Sequence, residues 1–85
     1  MKEVVGKNIK YYRQKANLTQ FELSKLIGVT PSAVGNWEQE LSCPSSKNLY
    51  KLCHVFKISS DKLVFENKKT HVNLWTKFLK FSKNN

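Results

Sequence analysis

Ser32 and Asn36 stand four residues apart, so on a helix they share one face: a hydroxyl beside a carboxamide that presents donor and acceptor together. Such a pair suits recognition by hydrogen bonding. Pro31 and Gly35 complete the same face. Cys43, Cys53, His54 and His71 have the side chains for metal chemistry, but they lack paired CxxC or HxxxH spacing. The neighbours Cys53 and His54 would point about 100° apart on a helix, so no metal site and no cofactor is expected. No Ser-His-Asp set, paired carboxylates or glycine-rich phosphate loop occurs in a credible context, which argues against an enzyme and against a small-molecule substrate.

The elements that must position these residues are legible from caps and stripes. Val5, Ile9, Tyr12 and Ala16 form the apolar stripe of a first helix over about 4–15, with Lys7, Lys10 and Arg13 between them. Thr19 lies three residues before Glu22, a capping box that opens a second helix with Leu23 and Ile27 inward; Gly28 ends it. Thr30-Pro31 is a further start signal, and a third helix over about 31–39 buries Val34 and Trp37. Trp37, one turn after Val34, reads as core rather than as a base-stacking platform. After Pro44, Ser45 can cap a fourth helix striped by Leu49, Leu52, Cys53 and Phe56, and Ser59 can cap a short fifth over about 60–65.

Two short helices hinged on Gly28 have the layout of a helix-turn-helix, whose second helix can enter the DNA major groove, the duplex surface with a unique base code. A formal net charge of +9, from 15 Lys and Arg against 6 Asp and Glu, favours a polyanionic partner. Asn36 could pair bidentately with adenine and Ser32 is permissive, while Pro31 and Ala33 offer apolar contact to a thymine methyl. With no Lys or Arg on the third helix, direct readout is sparse. Sequence-dependent DNA shape then contributes to specificity.

From Gly6 to about Val64 the chain resembles the lambda-repressor and Cro-like (XRE-type) helix-turn-helix DNA-binding family. The resemblance is carried by Ile9, Arg13, Leu18-Thr19-Gln20, Glu22-Leu23, Gly28-Val29-Thr30, Val34, Trp37-Glu38, Pro44, Leu49, Leu52, Ile58-Ser59 and Leu63. It implies an all-α fold: a five-helix lambda-repressor-like domain, here with an additional C-terminal amphipathic helix. It also implies that Pro31, Ser32, Gly35 and Asn36 face the bases, that Gln20 bonds the DNA backbone, and that Arg13 and Glu38 form a structural salt bridge with Arg13 near a phosphate. Lys10, together with Ser45, Ser46 and Lys47 at a helix start, would add phosphate contacts. Three departures stand out. Glu40 replaces the glycine usual after Trp-Glu, which would leave the third helix without its usual cap and put a negative charge near the DNA side. Gly35 stands where a larger polar residue is common. Leu26 is usually polar, so it is exposed or covered by something beyond the common domain.

At 85 residues the chain is expected to be one small domain near the lower limit for independent stability. Two cysteines make no disulfide framework, the N-terminus lacks a signal-peptide core and no apolar run approaches a membrane span, which together point to the cytoplasm. The division is 1–66 for the DNA-binding domain and 67–85 for a basic linker and amphipathic helix from near Thr70. On the helical wheel Val72, Leu74, Trp75, Phe78, Leu79 and Phe81 occupy one wide apolar half. That half could close over the core, join two subunits or lie on a membrane. The reading taken is a homodimer through Leu74, Trp75, Phe78 and Leu79, without a membrane, because two copies on a two-fold axis read paired half-sites in double-stranded DNA. The expected function is a sequence-specific transcriptional regulator, a phage-type or mobile-element repressor on an inverted-repeat operator. The alternatives are a restriction-modification controller, an antitoxin-type autoregulator, or a protein-interaction module using the C-terminal helix.

Overall fold

The computed structural model describes residues 4–65, so the expected C-terminal helix and its Leu74, Trp75, Phe78 and Leu79 lie outside the described residues. Among the described residues five helices follow one another: α1 (Val5–Lys15), α2 (Gln20–Ile27), α3 (Pro31–Glu38), α4 (Ser46–Phe56) and α5 (Ser60–Val64). α3 packs against both α1 and α2, and α5 against both α1 and α4. The core where they meet is Ile9, Tyr12, Leu23, Ile27, Val34, Trp37, Leu52 and Leu63, each buried from solvent. Ala16, expected to continue the α1 stripe, is exposed, because the helix has already ended and Ala16 is its C-cap.

The starts follow the sequence signals closely. Thr19 and Glu22 complete the capping box, with Glu22 N–H donating to Thr19 Oγ1 at 3.0 Å and Thr19 N–H to Glu22 Oε1 at 2.8 Å. Thr30 Oγ1 accepts from Ala33 N–H and Ser45 Oγ from Asn48 N–H, both at 3.2 Å. Ser59 is the N-cap residue of α5 in backbone conformation, but its side chain caps no backbone N–H. Its hydroxyl instead bonds the Asp61 carboxylate, which holds that pKa below the ordinary value.

The helix ends use the left-handed conformation repeatedly, and only once with glycine. Gly28 closes α2 at φ 85°, while Asn17, Glu40 and Lys57 close α1, α3 and α4 at φ 58°, 61° and 56°. The expectation that Glu40 leaves α3 without its usual cap is corrected. Leu41 N–H donates to Asn36 O at 2.9 Å and Glu40 N–H to Trp37 O at 3.0 Å, the paired bonds of a Schellman motif. Glu40 therefore takes the glycine conformation at a steric cost of about 1–2 kcal/mol. Its stem turns back onto α1: a Cβ built on Gly6 would sit 2.7 Å from Glu40 Cγ and would overlap the Trp37 carbonyl. Gly6 is thus the close-approach point that lets α1 lie against the end of α3.

Asn8 is the buried polar residue that ties the last helix down. Its Nδ2 donates to the carbonyls of Lys62, Leu63 and Phe65 at 3.2, 2.9 and 2.8 Å, and Val4 N–H reaches Val64 O at 2.9 Å beside it. A backbone that has run out of intrahelical donors is satisfied from a helix more than fifty residues earlier.

Candidate nucleic-acid interface

α3 divides into two faces. Val34 and Trp37 are buried, whereas Pro31, Ser32 and Asn36 are exposed and Gly35 is half-buried on the opposite side. All four expected base-facing residues therefore stand together on one surface, with Pro31 in the first turn immediately after the Thr30 cap. Gly35 marks the seam with α2: a Cβ added there would lie 3.7 Å from Gln20 Oε1, ordinary contact. The helix start at Gln20 and the face carrying Asn36 are neighbours for that reason.

The angle of this face is fixed by charge-assisted hydrogen bonds among three helices. Arg13 on α1 donates from Nε to Glu38 Oε2 at 2.6 Å and from Nη2 to Glu38 Oε1 at 3.1 Å, a bidentate pair joining α1 to α3. Arg13 Nη1 also donates to the Leu18 carbonyl at 2.8 Å, reaching the loop before α2. Gln20 Nε2 on α2 donates to the same Glu38 Oε1 at 3.0 Å. The hydrogen bond to Glu38 raises the Arg13 pKa above its ordinary value against the opposing effect of burial. With side-chain exposures of 11% for Arg13 and 4% for Glu38, the pair is largely withdrawn from solvent, and three of the five guanidinium N–H donors are engaged in this lattice.

Lys10, one turn before Arg13, is exposed, as are Ser45, Ser46 and Lys47 at the start of α4. Ser45 accepts the Asn48 N–H, which leaves its hydroxyl hydrogen to donate outward. Two positioning residues escaped sequence reasoning. Lys51 on α4 donates from Nζ to Ile27 O at 3.1 Å, capping the end of α2 at the turn. Asn8 anchors α5. Their partners lie far away in sequence, and a lone lysine or asparagine in a helix gives no signal of such a contact. Leu26 is 57% exposed.

Among the described residues no group of three or more His, Cys, Asp or Glu could hold a metal ion, and no helix is long and apolar enough to cross a membrane. Cys43 and Cys53 are free thiols, and burial pushes the Cys53 pKa up.

An exposed, capped helix locked at a fixed angle to a preceding helix defines a helix-turn-helix. Residues 9–63 match the helix-turn-helix family HTH_3, and the chain belongs to it. The antitoxin PezA of Streptococcus pneumoniae is 31% identical over 65 residues, covering 76% of this chain and 41% of PezA. Repressor protein C2 of Salmonella phage P22 is 31% identical over 62 residues, covering 73% of this chain and 29% of the repressor. Among solved structures, the P22 c2 repressor in complex with a synthetic operator superposes with a TM-score of 0.68 at 31% identity, covering 73% of this chain and 94% of that one. SinR, a master regulator for biofilm formation, in complex with DNA gives 0.66 at 31% identity, covering 71% and 97%. The chain spans well under half the length of these two curated relatives.

Proposed function

We propose that this chain is a sequence-specific DNA-binding transcriptional regulator, a repressor of the phage or mobile-element kind that binds an inverted-repeat operator as a homodimer. The observation that carries the reading is the Arg13–Glu38–Gln20 lattice, which fixes the exposed Pro31, Ser32, Gly35 and Asn36 face relative to α1 and α2. Similarity to the P22 c2 repressor and to the regulator SinR, both solved in complex with DNA, supports it.

In this mechanism α3 enters the major groove, Asn36 offers its carboxamide to an adenine edge, and Ser32 bonds whichever base lies beneath it. Lys10, the outward N–H of Gln20 and the α4 start at Ser45, Ser46 and Lys47 hold phosphates on either side. Arg13 positions α3, and its two remaining N–H donors are left for a nearby phosphate. Two probes per α3 give little discrimination, so a second copy on a two-fold axis supplies the rest. Leu74, Trp75, Phe78 and Leu79 are the dimerisation residues of this reading. Occlusion of a promoter then needs no chemistry, which agrees with a non-enzymatic, intracellular role.

Similarity to PezA favours a second reading, an antitoxin that represses its own operon; the same α3 face would then serve autoregulation. Fluorescence anisotropy with labelled duplexes across a salt series tests both against a module for which DNA is incidental. Log affinity should fall with log salt by about 0.9 per neutralised phosphate, and a flat profile overturns the DNA reading.

A further inference from the structure

An open groove of about 1050 Å³ runs between α4 and α5, with Ser46 at the α4 start and no α3 residue in its lining. Leu49, Tyr50, Cys53 and Ile58 form its apolar wall, and Lys57 and Lys62 stand at its rim. Tyr50 is 72% exposed and stacks on His54 with ring centroids 6.0 Å apart. A hydrophobic wall with so exposed an aromatic has room to seat an apolar segment.

We propose that this groove is the docking site of residues 70–81 of the same chain, taking part of their apolar half. Three observations point to that occupant. Segment 66–85 follows directly on α5, whose Ser60 and Lys62 already line the groove. Residues 66–69 span up to about 13 Å when extended, longer than α5 itself, so the segment reaches back without strain. Its sequence supplies what the groove lacks: Val72, Trp75 and Leu79 cluster on one side of the helical wheel, and Leu74, Phe78 and Phe81 on the other. Val72, Trp75 and Leu79 can meet the groove while Leu74 and Phe78, of the four dimerisation residues proposed above, remain for a second copy. Tethering makes the contact intramolecular, with an effective concentration in the millimolar range that a free partner rarely matches. The inference stands on the groove and the segment, independently of DNA binding.

Charge adds a signature. Lys57 and Lys62 at the rim carry the same sign as Lys77 and Lys80 of the segment, so salt should tighten this docking while it weakens DNA binding.

The test uses Cys53 as a native reporter inside the groove. In full-length Cys43→Ser protein without DNA, alkylation of Cys53 by N-ethylmaleimide is timed at fixed pH. The same measurement is made after adding Trp75→Asp and Phe78→Asp, with circular dichroism confirming the helical fold. A segment docked about nine-tenths of the time slows alkylation about tenfold relative to the Asp variant, at a rate independent of protein concentration and slower still in high salt. Equal rates overturn the proposal. Protection that grows with protein concentration assigns the groove to a second copy and overturns it too, as does protection lost in high salt.

Discussion

Replacing both ends of the Arg13–Glu38 bridge should cost no more than replacing either end alone. Glu38→Leu leaves the Arg13 guanidinium, only 11% exposed, with the Leu18 carbonyl as its remaining partner, while Arg13→Met leaves a carboxylate that is 4% exposed with one hydrogen bond from Gln20. Stranding a charge in a fully buried pair costs about 3–5 kcal/mol; partial exposure of this one brings the expected loss to about 2–3 kcal/mol per single variant. In the double variant no charge is stranded and two apolar side chains meet across the α1–α3 seam. It should be about as stable as either single variant, a coupling of about 2–3 kcal/mol. A domain of this size is stable by about 3–9 kcal/mol, so each single variant remains measurable. Urea denaturation followed by circular dichroism reads the effect directly. With a slope near 1 kcal/mol/M, each single variant lowers the midpoint by about 2–3 M. Single-variant losses that add to within about 0.5 kcal/mol in the double variant would refute the claim that this pair acts as one unit holding α3.

Asn8→Ala should destabilise by about 1–3 kcal/mol, because the carbonyls of Lys62, Leu63 and Phe65 lose a shared donor. Hydrogen exchange at the Val4 amide should accelerate with it, and unchanged exchange would mean that Asn8 does not anchor α5. Lys57→Gly should stabilise by about 1 kcal/mol, since Lys57 caps α4 at φ 56° where glycine is unstrained; a drop in the urea midpoint counts against that. Burial first, and then Asp61, raise the Cys53 pKa above 9.0. In Cys43→Ser protein the pH–rate midpoint of Cys53 alkylation should therefore lie higher in the folded protein than in urea. By the same linkage the neutral thiol supports the fold below about pH 9, and that support is lost as pH rises through the folded pKa.

The starts of the helices were legible in the sequence because each start signal is local. Thr19 and Glu22, Thr30 and Pro31, and Ser45 each satisfy or dispense with backbone donors within their own first turn. The ends were not, apart from Gly28. Glu40 and Lys57 adopt a left-handed conformation that their residue types disfavour, whereas Asn17 tolerates it. Glu40 shows the difference: as a residue type it signals a missing cap, yet the chain closes the same paired hydrogen bonds around it. The site divided along the same line. Ser32 and Asn36 were readable as one face from their spacing, and Arg13 with Glu38 from the family pattern. The Gln20 bond to Glu38, the Lys51 cap on Ile27 and the Asn8 clamp depend on how helices cross, which no local pattern encodes.

Selection of bound duplexes from a random pool, run in parallel with wild-type and Asn36→Ala proteins, tests the central claim that the α3 face reads DNA. The wild-type protein should enrich an inverted repeat whose half-sites are spaced by about one helical turn. Asn36→Ala should keep that spacing and flatten preference at one base pair in each half-site, a loss of about 1–3 kcal/mol of discrimination there. An identical base preference from both proteins, or no enriched sequence from the wild type, would contradict it.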